Sequence, residues 1–268
     1  MLTSNRRLYD TILWLCACVF GASAGRAADH LSAEQVRLAV AAAPPGQVDL
    51  SERDLTADDL TGFDLSGAKL VRANLSGANL HGVKLVGTDL TEANLTNADL
   101  TFAWFIRANF TRANLRGATL RTIVTSTAMD NTQAEAATFA GADLSDANLT
   151  VHFSFYDMRR ANFSHANMTV VMANQSMGLL RTEFMSSNLD GANFEGAGLG
   201  HVTFRFAKLR GANFKSADLS YTDFTGAYLN GADFSGAKIS HTIFESATMS
   251  GCKGTFFPAT STSSRSPR

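Results

Sequence analysis

The chain has 268 residues, a formal net charge of -1 and only 18% charged residues, so it has neither the basic excess of a nucleic-acid-binding protein nor the charge density of a disordered one. Two of its three cysteines lie in the first twenty residues, which excludes a scaffold built on internal disulfides.

Residues 1–24 read as a secretory signal: Arg6 and Arg7, an apolar run from Ile12 to Phe20, then Ala22-Ser23-Ala24 as a small-residue cleavage site. Cleavage after Ala24 is expected, because the apolar run is too short to span a bilayer. Two variants stay open. Leu15-Cys16-Ala17-Cys18 resembles a lipoprotein cleavage box, which would make Cys18 a lipid anchor. Arg6-Arg7 is similar to a twin-arginine signal, although Asp10 interrupts the apolar residues that should follow. Residues 25–46 form an N-terminal segment with a helix and a Pro-Gly linker. Ser32 and Gln35 have the spacing of a capping box, Leu31 and Val36 that of a hydrophobic staple, and Pro44-Pro45-Gly46 ends the helix after Ala43. A helix directly before a repeat array is expected to cap its open end.

From Leu50 to Leu120 an apolar residue recurs at every fifth position, as in Ala68-Lys69-Leu70, Ala73-Asn74-Leu75 and Ala78-Asn79-Leu80. Five is neither the helical nor the strand period. The small residue and the Leu two places on can nevertheless share the inner side of a short strand, leaving the Asn or Asp between them to bond the turn backbone outside. The pattern resembles the pentapeptide repeat family over residues 48–251. That resemblance implies an all-β fold, a right-handed quadrilateral parallel β-helix with four units per coil. At about 4.8 Å per coil, roughly ten coils make the solenoid. Residues 47–125 are read as regular coils, 126–182 as irregular coils with a loop, 183–251 as regular coils and 252–268 as a disordered tail.

From Leu179 onward the central residue alternates, with Phe184, Phe194, Phe204, Phe214 and so on to Phe244 separated by Leu or Ile. A period of ten requires an even number of sides, so on four sides Phe stacks on two opposite walls. The phase also slips. Centres up to Leu120 fall on multiples of five, whereas Phe139, Leu144 and Leu149 fall one short, from a one-residue deletion or a larger remodelled loop between 121 and 137. Phe153, Met158, Phe163 and Met168 lose one more residue, and the centres from Leu179 regain one. At the far end Phe256 and Phe257 offer a plug for the last coil. The alternative is a homodimer through the C-terminal coils, a mode of some relatives.

Phe102, Trp104 and Ile106 should face solvent by their register, and Val124 stands one coil beyond Trp104, so the four form a candidate apolar partner patch. The competing reading has residues 122–137 fold down and cover them. Met158, Met168, Met172, Met177 and Met185, with His152 and His165, suit Cu(I) in an exported protein, but Met158 and Met168 hold inward positions where Met fills irregular packing. His201, Tyr221 and His241 share one outward slot and should stack, with the two histidines too far apart to share a metal. Arg107, Arg112, Arg116 and Arg121 encircle the rod, while Asp190 with Arg210 and Glu195 with Lys215 should pair across coils.

No phosphate loop, nucleophile elbow or metal-spaced Cys/His set occurs, so no catalytic residue, cofactor or metal site is assigned and the chain is not expected to be an enzyme. The expected function is that of a non-enzymatic binding or scaffold protein, exported to a bacterial periplasm or secreted. Its expected partner is a protein and not nucleic acid, with membrane contact only if Cys18 is lipidated. Two alternatives are carried: a periplasmic copper binder through the Met-rich sector, and a DNA-mimic modulator of type II topoisomerase. The second is supplied by the family resemblance and opposed by the leader and the near-neutral charge.

Overall fold

A computed structural model describes residues 30–44, 46–121, 132–169 and 181–254. The leader, Val124, Met172, Met177 and the Phe256-Phe257 pair lie outside the described residues. The helix α1 spans Ala33–Ala42; its capping box is complete, with the Ser32 hydroxyl accepting from the Gln35 N–H and the Gln35 side chain accepting from the Ser32 N–H. Val36, the buried residue of α1, joins the apolar cluster that contains Leu50, Leu55 and Leu60, and the Leu31 N–H donates to the Asp54 carbonyl at 2.8 Å. The helix therefore closes the N-terminal end of the array.

The array is a solenoid of parallel bridges. Asp49 pairs with Lys69, Lys69 with Asp89 and Asp89 with Asn109, so one rung takes twenty residues, or four five-residue units. Only Thr119–Arg121 (β1) and Asn148–Thr150 (β2) extend to three-residue strands among the described residues, and they pair in parallel. Each unit follows one physical plan. The small residue and the central apolar residue turn inward, and the side chain between them holds the turn: Asp89 Oδ1 accepts from the Thr91 N–H at 3.0 Å and from its hydroxyl at 2.6 Å. In several rungs where that residue is Asn, its amide also reaches the rung below, as from Asn94 to Asn74 and from Asn213 to Asn193, both 2.9 Å. Thr is accepted at the inner small position because its hydroxyl finds a carbonyl one rung down; Thr88 donates to Leu65 at 2.7 Å and Thr222 to Leu199 at 2.8 Å.

The central residues form four columns, which we number from Leu50, Leu55, Leu60 and Leu65. In the fourth, Phe184, Phe204, Phe224 and Phe244 stack face to face at 4.9–5.2 Å. In the second, Phe194, Phe214 and Phe234 do so at 5.0 and 5.1 Å. The two columns meet edge to face across the interior, Phe194 lying 5.4 Å from Phe204. Period ten in the sequence thus becomes two ring columns in contact.

Rung length changes in the middle of the rod. Asn109 pairs with Thr138 twenty-nine residues on, Thr138 with Asp157 nineteen on, and His152 with Glu183 thirty-one on, before the twenty-residue rung returns at Glu183 and Thr203. The first slip is therefore a nine-residue enlargement and not a deletion. The single-residue loss falls between Leu149 and Phe153, and eleven extra residues enter between Met168 and Phe184. In the shortened rung Tyr156 takes an inner position that Ala holds elsewhere. Its ring stacks on Phe139 at 6.0 Å, and burial pushes its phenol up from the ordinary value.

Asp58 also occupies an inner position, under the start of α1. It accepts the Ala33 N–H, its Oδ1 lies 3.8 Å from His30 Nε2, and its Oδ2 has no hydrogen-bond partner. Burial pushes this carboxyl above the ordinary Asp value, against the opposing pull of His30. A carboxyl whose folded value is raised contributes stability that is present below its unfolded value and lost as pH rises through the folded one. Asp58→Asn is expected to flatten that dependence and to gain below about 1 kcal/mol at neutral pH, a gain limited by solvent screening. Thermal melts between pH 3 and 8 check it; an unchanged profile counts against the assignment.

Candidate functional site

The residues that depart from the repeat gather at one side of the rod. Both enlargements enter between the third and fourth columns, the first between Arg121 and Glu135 and the second between Met168 and Phe184. The fourth-column face is also where large apolar side chains reach solvent. Of nine such exposed residues among those described, seven lie on that face or in its two bounding turns: Phe102 and Tyr221 in the turn before it, Trp104 and Ile243 on it, and Phe155, Met185 and Phe206 in the turn after it. Tyr228 stands just past that second turn, and among the described residues only Leu38, on α1, is elsewhere. By contrast, outward positions of the second column are mostly Asn and Asp with Ser or Thr beside them.

The candidate patch is partly assembled. Phe102 is 48% exposed with the His81 ring edge-on at 5.2 Å, and Trp104 is 36% exposed with Lys84 Nζ 5.9 Å from its ring centroid. Ile106 is a correction, since at 2% exposure it does not face solvent and it sits outside the main apolar cluster. The reason is local. The enlarged rung returns directly above this corner, where the Arg107 N–H donates to the Glu135 carbonyl at 2.9 Å.

The other sequence candidates sort by register. Met158 and Met168 are fully buried central residues, so neither thioether can reach an ion at the surface, whereas Met185 is exposed. His201, Tyr221 and His241 stack nearly parallel at 4.8 and 4.7 Å along the turn before the fourth column, and Ser240 Oγ lies 3.0 Å from His241 Nδ1. Arg210 pairs with Asp190 at 3.3 Å as expected. Lys215 instead reaches Asp233, in the next rung, at 3.5 Å, and Glu195 accepts from the Asn213 amide at 3.2 Å. Arg112 and Arg116 are tied to Glu92 and Asp146. One column escaped notice in the sequence: Glu52, Arg72, Glu92 and Arg112 alternate in charge in the turn after the first column, Arg72 with Glu52 and Arg112 with Glu92 as ion pairs. Its signal, a sign change every twenty residues, shows only once the rung length is known.

Among the described residues no group of three or more His, Cys, Asp or Glu is placed to hold a metal ion, and no helix is long and apolar enough to cross a membrane. A family model described as pentapeptide repeats matches residues 59–97 and 93–121 in eight copies, and one described as a pentapeptide repeat region matches residues 177–253, together more than half of the chain. No curated protein matches. Among solved structures the chain is similar to HetL, a pentapeptide repeat protein involved in heterocyst differentiation regulation from the cyanobacterium Nostoc, with 29% identity over 76% of this chain and 82% of that one and a TM-score of 0.46. It is similar to a trypsin-treated variant of QnrB1, a plasmid-mediated fluoroquinolone resistance protein, at 18% identity over 77% and 89% with a TM-score of 0.36. Rfr23 from the cyanobacterium Cyanothece follows at 21% identity over 64% and 90% with a TM-score of 0.22. All three TM-scores lie below 0.5, so no residue role is carried from these proteins to this chain.

Proposed function

The chain belongs to the pentapeptide repeat family, and from that premise we propose that it is a non-enzymatic, exported binding scaffold that receives a protein partner on its fourth-column face. One observation carries the reading: two rung enlargements and seven of the nine exposed large apolar residues among those described fall on the same side of the rod. In solenoids, insertions mark the binding face, and contiguous exposed apolar surface marks contact with another protein. The right-handed, four-sided cross-section of the family is part of this reading, supported by four units per twenty-residue rung. Export rests on the leader, residues 1–24.

Exposed aromatic residues flanked by cations dominate the energetics of such interfaces. Replacing Phe102 and Trp104 together by Ser is expected to lower partner recovery from an extracytoplasmic extract at least about tenfold, the equivalent of about 1.4 kcal/mol. Unchanged recovery, with the variant's thermal melt unaltered, removes this patch from the site. Mass spectrometry of the mature N-terminus after cell fractionation tests export independently of binding.

A further inference from the structure

In the turn after the fourth column, exposed apolar side chains recur on three successive rungs, Phe155, Met185 and Phe206, as a ridge that Tyr228, just past that turn on the next rung, flanks. Backbone pairing fixes their succession. The Phe155 N–H donates to the Met185 carbonyl, Ser186 to Arg205, Phe206 to Thr225 and Tyr228 to Ala207, all at 2.9–3.0 Å. Phe206, half exposed, is steered by a glycine one rung on: a Cβ at Gly226 would lie 2.5 Å from its ring. The flanking cations are already engaged. Arg205 lies 5.8 Å from the Phe206 centroid and 3.9 Å from Asp223, and Arg210 lies 5.4 Å from the Tyr228 centroid and 3.3 Å from Asp190. The ridge is thus apolar with compensated charge, which suits neither a polyanion nor a strongly basic ligand.

We propose that this ridge receives an amphipathic α-helix of the partner protein, laid parallel to the rod axis. The inference rests on the binding-scaffold reading above and adds the form of what is bound. Rungs stand about 4.8 Å apart, so the three turn residues offer an apolar contact at that step over about 10 Å. A helix presents one apolar residue per turn, about 5.4 Å apart, and drifts only about 1 Å along the ridge, within the reach of side chains. An extended strand along the axis presents same-face residues about 6.7 Å apart and drifts by about 4 Å. It would also find no backbone partners, because the N–H and C=O groups of the rungs pair up and down the rod, while a helix satisfies its own.

Selection of random sixteen-residue peptides by phage display on the full chain tests this. The expected winners carry apolar residues at i, i+3 or i+4 and i+7, become helical on binding, and lose at least about tenfold in affinity with Phe206→Ser. Gly226→Ala, which displaces the Phe206 ring without removing it, should weaken them as well; Ala57 already adopts the same backbone conformation, so the fold tolerates the change. Peptides with alternating apolar residues, peptides indifferent to Phe206→Ser, or no selected peptide at all would each overturn the inference. The pull-down with Phe102 and Trp104 replaced stays separate: its loss of partner alongside a failed selection leaves a scaffold that does not take a helix at this ridge.

Discussion

Phe204→Ala is expected to cost about 3–5 kcal/mol, the range for emptying a buried aromatic site. Phe204 is fully buried, stacked between Phe184 at 4.9 Å and Phe224 at 5.0 Å, with Phe194 and Phe214 edge-on at 5.4 and 5.9 Å. The cost should fall at the high end because the neighbours cannot close the void. Each ring is carried by a rung whose backbone is pinned above and below; the Phe184 N–H donates to the Thr203 carbonyl and the Phe224 N–H to the Ile243 carbonyl, both at 2.8 Å. Because a solenoid rung contacts only its neighbours, the loss should also be local. Hydrogen exchange should accelerate around residues 184–224 and stay unchanged around Leu70–Leu100. Urea unfolding followed by circular dichroism gives the magnitude. A cost under about 1 kcal/mol would mean that the columns collapse like a fluid core instead of standing as a ladder.

That ring ladder was legible in the sequence because a central residue always points inward whatever rung it occupies. The fourth-column face was not. A five-residue period fixes a rung's length only modulo five, so rungs of nineteen and twenty-nine residues give the same phase, and only the pairing of Asn109 with Thr138 separates them. Without those lengths, Trp104, Met185 and Ile243 cannot be placed on one face, although each is visibly out of pattern. Ile106 failed for a related reason. Exposure just after the central residue depends on what the next rung lays over it, and there the chain returns through Glu135 after the enlargement. The capping box was readable, because Ser32 and Gln35 bond within one helical turn, while Leu31 and Val36 are both buried in the apolar cluster. Legibility thus follows contact range: local contacts and inward register are written in the chain, and lateral neighbours are not.

Gly67→Val should be the costliest of the glycine changes, at about 2–4 kcal/mol, and its cause is separable from backbone conformation. The second position after the central residue has positive φ in the regular coils, yet non-glycine residues adopt it freely: Arg72 at 55°, Asn97 at 58° and Tyr221 at 60°. Left-handed backbone alone therefore does not demand glycine in this fold, where pairing on both sides over-determines the turn. Space does at Gly67, whose φ is 70°. A Cβ there would lie 2.8 Å from the Gly46 Cα, and neither atom belongs to a side chain that can swing away. Gly77, with φ 66° and nothing within 4 Å of its would-be Cβ, is the control. Gly77→Asn is expected to change stability by less than about 1 kcal/mol. Gly67→Val should push the segment before Val48 off the first rung and loosen α1, so amides of residues 33–42 should exchange faster while those beyond Leu90 keep their protection. Equal costs for the two substitutions would show that conformational strain, and not the approach of Gly46, sets the requirement.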